Sequence, residues 1–399
     1  MSMIRDDVET VREALVASRR WLHQHAELSH QEYETADYLE TNLRTYPGIE
    51  VTRPTGTSIL GILRTGRPGP VIALRADIDA LPIHEENDLP YRSCHEGVMH
   101  ACGHDGHAAI LLYTARLAAM RRELLCGEIR FIFQHAEELP PGGGQELIQL
   151  GVMDGVQEVY GIHLSSGFPT GCFATRPGPL TSSVDKFHIT VRGKGGHSSM
   201  PERCIDPVVT AAEIITALQT IVSRSINPIE PAAISVCQVR AGTAYNIIPE
   251  TVSLIGSTRT YTKEVRAMVE ERVKSIASHI AQANGASAEV EYEHGYGSIY
   301  NHPAIEAKVE QIISSEFGRE ALMVVDPLMP SDDFSVFTDA APGCSVQVGM
   351  ANPGKGSDAP HHNARFMMDE DALALGVMYM TAVVRDRAGM QGKKGNNCE

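Results

Sequence analysis

The stretch Val71-Ile72-Ala73-Leu74-Arg75-Ala76-Asp77-Ile78-Asp79 decides how the fold is read. A short apolar run of strand length ends in two carboxylates. The same arrangement returns twice: Ile129 to Phe133 is followed by Glu137 and Glu138, and Val159 to Ile162 by His163. Helical patterns lie between these runs, at Ala108 to Arg121 and Gln145 to Leu150. Upstream, Val8, Val11, Leu15 and Leu22 form a helical stripe, and a second helix is expected from Tyr33 to Arg44. This alternation predicts an α/β fold with a mostly parallel sheet flanked by helices. Open sheets of that kind bind ligands at the carboxyl ends of their strands. Three strands that end in Asp, Glu and His would line those groups along one rim. Loop polarity explains polar residues after strands, but not that choice of residue types each time.

Composition narrows the class. A chain of 399 residues exceeds one ordinary core, so two domains are expected. A hydrophobic content of 43% suffices for both cores. The formal net charge of −16 argues against nucleic acid as a partner. No apolar run is long enough to cross a bilayer, and Met1-Ser2-Met3-Ile4-Arg5-Asp6-Asp7 is not a signal core, so no membrane partner is expected. Eight scattered cysteines fit reduced thiols in a cytoplasmic protein better than a disulfide framework. The polar tail from Gly392 to Glu399 is expected to fray.

The middle of the chain has a different rhythm. Phe187 to Arg192, Ile234 to Val239 and Val252 to Thr258 alternate with a period of two. One helix begins at Asp206-Pro207, a good cap followed by a first-turn proline, and carries Val209, Ala212, Leu218 and Ile221 as a stripe on one side. Another starts near Thr262, carries Val265, Val269, Val273, Ile276 and Ile280, and ends at Asn284-Gly285. Residues 184–295 are therefore read as an inserted α+β domain, and 1–183 with 296–399 as the main domain. The cluster Gly193-Lys194-Gly195-Gly196-His197-Ser198-Ser199 lacks the full glycine–lysine arrangement of a phosphate loop. Its histidine, like Asn246 and Arg259, reads on chemistry alone as structural at least as readily as functional.

The densest chemistry is Met99-His100-Ala101-Cys102-Gly103-His104-Asp105-Gly106-His107. Thiol, imidazoles and carboxylate together suit a transition metal, and a glycine between Cys102 and His104 permits the bend that turns both to one ion. With Glu138, His163 and His361-His362 there are more ligands than one ion needs, so a two-metal hydrolase leads. A strand continuing through Glu137 and Glu138 would send them to opposite faces, one to metal and one to substrate. Two other classes fit the residues less well. A metal-free thiol hydrolase built on Cys102 with His104 or His107 leaves Glu138, His163 and His362 without a task. A silent binding protein should lack a base or a ligand, and none is missing.

These residues carry a resemblance over almost the whole chain. Trp21-Leu22-His23…Glu27-Leu28, Arg75-Ala76-Asp77-Ile78-Asp79-Ala80-Leu81-Pro82 and Cys102-Gly103-His104-Asp105-Gly106-His107 resemble the metal-dependent aminoacylase and carboxypeptidase family that includes hippurate hydrolases and indole-acetyl-amino-acid hydrolases. So do Gln134-His135-Ala136-Glu137-Glu138, Gly195-Gly196-His197-Ser198-Ser199-Met200-Pro201, Asn246-Ile247-Ile248-Pro249 and Pro360-His361-His362. The resemblance implies a di-metal catalytic domain and an inserted lid and dimerisation domain. It implies two divalent ions per subunit (Mn, Zn, Co or Ni) on Cys102, His104, Glu138, His163 and His362, with Glu137 as general base. Asp77 and Asp79 would orient ligands. A homodimer through the lid would bring His197 to the partner's site, and Asn246 and Arg259 would hold the substrate. The implied reaction is hydrolysis of an N-acyl amino acid, hippurate-like or N-acetylated, to a carboxylate and a free amino acid. A dipeptidase or carboxypeptidase, or a deacetylase of a biosynthetic intermediate, is the alternative.

Overall fold

The structure is a computed structural model that describes residues 3–389. The tail at 392–399, with Cys398, lies outside them. The chain divides into two compact units: Met1–Leu180 with Tyr300–Asp326 and Asp333–Glu399, and Thr181–Ile299 with Pro327–Asp332. The second unit takes in the short segment Pro327–Asp332, which the sequence reading left with the first.

The first unit is built on an eight-stranded sheet. Its order is Ile49–Thr52, Ile59–Arg64, Glu128–Gln134, Val71–Asp77, Glu158–Pro169, Gly343–Ala351, Phe173–Thr175 and Leu322–Val324. The four central strands run parallel: 71–77 pairs with 128–134 and with 158–169, and 343–351 pairs with 158–169. Antiparallel strands flank them at 59–64 and 173–175. Helix His104–Met120 is buried on nearly every side, as its run of alanine and leucine allows. It packs between helices Met3–Gln24 and Asp371–Ala388 and against the sheet. The core joins Leu15, Leu22, Leu111, Leu112, Phe131, Phe133, Val346 and Tyr379. Helix Tyr33–Arg44 begins without a side-chain cap from its own N-cap residue Glu32. Glu27 satisfies its first turn instead, accepting from the N–H groups of Glu34 (3.1 Å) and Thr35 (2.9 Å).

The second unit has a four-stranded antiparallel sheet, ordered Ala233–Ala241, Thr251–Arg259, Asp185–Arg192 and Ser287–His294. Helices Pro207–Thr220 and Lys263–Ala283 cover one face, enclosing Phe187, Ile189, Leu218, Leu254, Val269 and Val273. Asp206 caps the first helix, accepting from Val208 N–H at 2.8 Å, and Thr262 caps the second, accepting from Val265 N–H at 3.3 Å. The first helix buries only part of the stripe expected of it: Leu218 and, one residue past its end, Ile221. Thr210, Ala211, Ile214 and Leu218 point inward, while Val208, Val209 and Ala212 face out. The helix carries two apolar stripes, and the sheet beneath it selects one. A separate two-stranded ribbon pairs Gly196–His197 with Ile247–Ile248.

Among the described residues no helix is long and apolar enough to cross a membrane.

Candidate metal centre

Local backbone decides where the candidate ligands go. Gly103, just before helix 104–120, takes φ 91, which glycine adopts without a Cβ clash. Around this turn Cys102 and His104 face one way, and their ligand atoms and that of His163 all lie within 4.8 Å of one another. Gly106 lets the helix approach strand 158–169 closely, since a Cβ there would sit 2.4 Å from Leu164 Cδ1. His163 lies inside that strand, not beyond its end, because the strand runs past the apolar stretch to Pro169.

The two glutamates also differ from the expectation. Strand 128–134 stops at Gln134, and Ala136 adopts φ 51, a left-handed conformation held only where surroundings impose it. The alternation that would separate Glu137 from Glu138 is therefore broken, and both come within 4.8 Å of His104. Ala136 N–H donates to Glu32 Oε1 at 2.8 Å, bracing the turn. Burial, with the charge of Asp79, pushes Glu32 up to about 7. Glu138 N–H donates to Asp79 Oδ2 at 2.9 Å.

His362 is the second strained residue, at φ 61, and its N–H donates to Ala101 O at 2.8 Å. That bond ties the segment to the Cys102 turn. Cys102, Glu138 and His362 form a second group within 4.8 Å. His362 Nε2 stands 3.3 Å from Glu138 Oε1. His361 turns away, its Nε2 accepting from Ser166 N–H at 3.2 Å. The five expected ligands thus form two triads that share the Cys102 sulfur: Cys102, His104 and His163, and Cys102, Glu138 and His362.

The electrostatics suit a cation. Burial lowers His104, yet Asp77 and Asp79 hold it well above the ordinary imidazole value. Asp79 Oδ1 lies 3.2 Å from His104 Nδ1. The Glu138 carboxylate raises His362. Burial and the charge of Glu138 push the Cys102 thiol far up, so a nearby cation is what would make it a thiolate. Burial drives His107 down to about 4 and His361 to about 2. His104 Nε2 and Glu138 Oε1 are buried without a well-aligned hydrogen bond among the described residues, 3.8 Å apart. Buried polar atoms are normally satisfied. A donor set of thiol, imidazoles and carboxylate, with orphaned atoms at its centre, fits divalent transition-metal ions.

The remaining sequence-predicted residues lie in the second unit. His197 is exposed on the ribbon, and Nδ1 accepts from the backbone N–H of Ser199 at 3.1 Å. Asn246 is exposed on the opposite arm, its carbonyl accepting from Ser198 N–H at 3.2 Å. Arg259 lies elsewhere in that unit, with Nη1 3.2 Å from Ser331 Oγ.

Sequence reasoning missed the supports beneath the rim. Arg75, fully buried, donates to Asp77 Oδ2 (2.6 Å), Gln134 Oε1 (2.7 Å) and Asp333 Oδ1 (2.7 Å). Gln134 Nε2 donates to Asp333 Oδ2 at 2.6 Å, closing the ring. A charged residue inside an apolar strand was a signal that a buried partner exists. A second network joins Arg19, His23, Glu85 and Asp105, with Arg19 Nε 2.9 Å and His23 Nδ1 2.7 Å from Asp105 Oδ2.

Comparison with known proteins gives the family. The family model described as peptidase family M20/M25/M40 matches residues 73–386. Thermostable carboxypeptidase 1 of Saccharolobus solfataricus is 40% identical over 379 residues, 94% of this chain and 95% of that protein. The N-acyl-L-amino acid amidohydrolase of Geobacillus stearothermophilus is 46% identical over 295 residues, 74% of this chain and 80% of that one. The solved structure of a dinuclear metal binding peptidase from Bacillus subtilis matches with a TM-score of 0.83 at 33% identity, covering 94% of this chain and 98% of that one. With most of its length matched in sequence and in fold, the chain belongs to peptidase family M20/M25/M40.

Proposed function

We propose that this chain hydrolyses the amide bond of N-acyl amino acids, with Cys102, His104, Glu138, His163 and His362 holding two divalent ions. The observation that carries the reading is the pair of triads sharing one sulfur, with His104 Nε2 buried among them without a well-aligned hydrogen bond. The name of the Geobacillus relative supports the choice of bond. When bound, such ions would polarise a carbonyl and acidify water.

The chain's own groups supply the rest. Glu137 is buried and grouped with His104 and Glu138. Its carboxylate takes a proton from the attacking water as the new C–O bond forms, and delivers it to the amine nitrogen as the C–N bond breaks. His197 hydrogen-bonds the oxygen on which charge develops. A backbone N–H only donates, so the Ser199 contact makes Nδ1 the acceptor and leaves a ring proton on Nε2. Asp79 orients His104, and Asn246 and Arg259 engage the amide and carboxylate of the substrate. The active unit is a homodimer through the second unit, in which His197 of one subunit serves the other. Exposed Val208 and Val209 on helix 207–220, and exposed Val239 on the edge strand 233–241, support that association. Mn, Zn, Co and Ni all suit this donor set.

A carboxypeptidase reading is favoured by the name of the Saccharolobus relative. It differs only in the acyl half, a peptide in place of a simple acyl group. The thiol-hydrolase reading is disfavoured, since burial and Glu138 hold Cys102 protonated. One panel separates these: N-acetyl, N-benzoyl and longer N-acyl amino acids beside dipeptides, with amine release measured on metal-loaded and chelator-treated protein. Release from N-acyl amino acids that vanishes on chelation and returns with Mn²⁺, Co²⁺, Zn²⁺ or Ni²⁺ is expected. Full activity in metal-free protein, or no release from any N-acyl amino acid by loaded protein, would overturn the proposal.

A further inference from the structure

His107 closes the histidine-rich run, yet the reaction gives it no task. It is fully buried, and its ring atoms lie within 4.8 Å of the ligand atoms of Asp77 and His104, so it invites reading as another metal ligand. Its hydrogen bonds argue otherwise. Strand 158–169 pairs with strand 71–77 only as far as Gly161, opposite Arg75. Leu164 lies beyond that point, and its N–H donates to His107 Nε2 at 2.8 Å. A backbone N–H cannot accept, so His107 Nε2 carries the lone pair and the ring proton sits on Nδ1. That Nδ1–H donates to Asp77 Oδ1 at 2.6 Å, while Arg75 holds Oδ2 at 2.6 Å. Both ring nitrogens are committed.

The carbonyl of the same Leu164 is engaged by the neighbouring ring. His163 Nδ1 lies 2.8 Å from Leu164 O, and a carbonyl only accepts, so His163 is protonated on Nδ1. Its Nε2 therefore carries the lone pair, turned to Cys102 Sγ at 3.7 Å. Two imidazoles thus grip the N–H and the C=O of one residue, with ring centroids 4.7 Å apart. Where the neighbouring strand has ended, a side chain on helix 104–120 takes its place.

We propose that His107 is a positioning residue: through Leu164 N–H and Asp77 it anchors strand 158–169 so that His163 presents Nε2 to the ion shared with Cys102. The inference rests on the reading of His163 as a ligand. Groups that orient metal ligands typically change metal affinity about 10–100-fold when removed.

The test is titration of the metal-free full-length chain with Co²⁺, followed by calorimetry and by the thiolate-to-cobalt absorption band. Wild type is expected to take two ions, and His163→Ala one fewer. His107→Ala should still take two, one of them about 10–100-fold more weakly. His107→Gln places a carboxamide oxygen near the position of Nε2 and should recover more affinity than His107→Asn, which keeps only the donor toward Asp77. Thermal unfolding of each metal-free variant checks the fold, and His107→Gln serves if His107→Ala does not fold. Unchanged affinity in both variants overturns the inference alone. Outright loss of an ion in His107→Ala and His107→Gln, as in His163→Ala, overturns it by making His107 a ligand. A folded wild type that binds no ion overturns the metal reading, and this inference with it.

Discussion

The rim of the large sheet and the ribbon of the second unit hold their histidines in opposite ways. At the rim, His104 and His107 are buried and fastened by distant segments: Asp79 to His104, and Asp77 with Leu164 to His107. On the ribbon, His197 is exposed, and the hydrogen bonds of its ring among the described residues come from Ser199, two residues on. Rings fastened by several strands inherit the rigidity of the core, which is the condition for a preorganised site. A ring fastened by its own turn has its tautomer set but not its place. The rim fixes its rings through the core, and the ribbon fixes its ring only through its own turn.

The largest effect should come from the rim. Glu137→Gln keeps shape and loses basicity, so kcat should fall about 10²–10⁴-fold. Metal content, measured on the purified protein, should stay at wild-type level. Glu138→Gln should instead lower metal occupancy, because its carboxylate is grouped with Cys102 and His362 and with His104. Equal metal loss in both variants would mean that the adjacent glutamates share one role. Near-normal turnover in Glu137→Gln would remove it as the base.

How much of this was legible in the sequence depends on distance along the chain. Asp77 and Asp79 at the end of strand 71–77, the caps Asp206 and Thr262, and the stop at Asn284-Gly285 are local signals, and the structure has each where the sequence put it. The turn at Ala136 is also local, but its left-handed backbone comes from Glu32, about a hundred residues away, and no periodicity records that. Helix 207–220 shows the same limit in packing, since two apolar stripes compete and only the sheet decides. The ring of Arg75, Gln134 and Asp333 closes across 258 residues. Strand 343–351 is wholly buried but for its last residue, yet carries Ser345 and Gln347, so it did not read as an apolar run.

A second test of the rim concerns its foundation. Burial alone would raise Asp105, but Arg19 and His23 hold it far below the usual carboxylate range. A group whose folded pKa is depressed contributes stability that is present above its unfolded value, near 4, and is lost as pH falls toward the folded value. Asp105→Asn takes from the buried Arg19 the nearer of its charge partners and leaves Glu370 at 3.4 Å, and the metal-free protein should lose about 3 kcal/mol at neutral pH. Denaturant unfolding should show that gap intact at about pH 5 and narrowing by about 1.4 kcal/mol per unit below pH ~4. A gap that stays flat to about pH 3 would mean that the pair contributes packing and not charge.

The ribbon should yield the smaller effects, and they separate tautomer from placement. His197→Ala removes a donor to the developing oxyanion and no metal ligand, so kcat should drop about 10²–10³-fold with metal content intact. Ser199→Ala removes one hydrogen bond, a change of about 1 kcal/mol, but leaves the backbone N–H that sets the tautomer, and should cost about fivefold at most. Placement is tested by mixing. If His197 of one subunit serves the other, a heterodimer of His197→Ala and Glu137→Gln subunits rebuilds one site with both groups intact. Two inactive proteins should then regain activity after subunit exchange, approaching half the wild-type rate per heterodimer. Exchange demonstrated by mass, with no recovery, would place His197 on its own subunit's site. A monomer with full activity would remove the partner altogether. In either case the local bonds of the ribbon would have to be enough to place the ring, and the contrast with the rim would disappear.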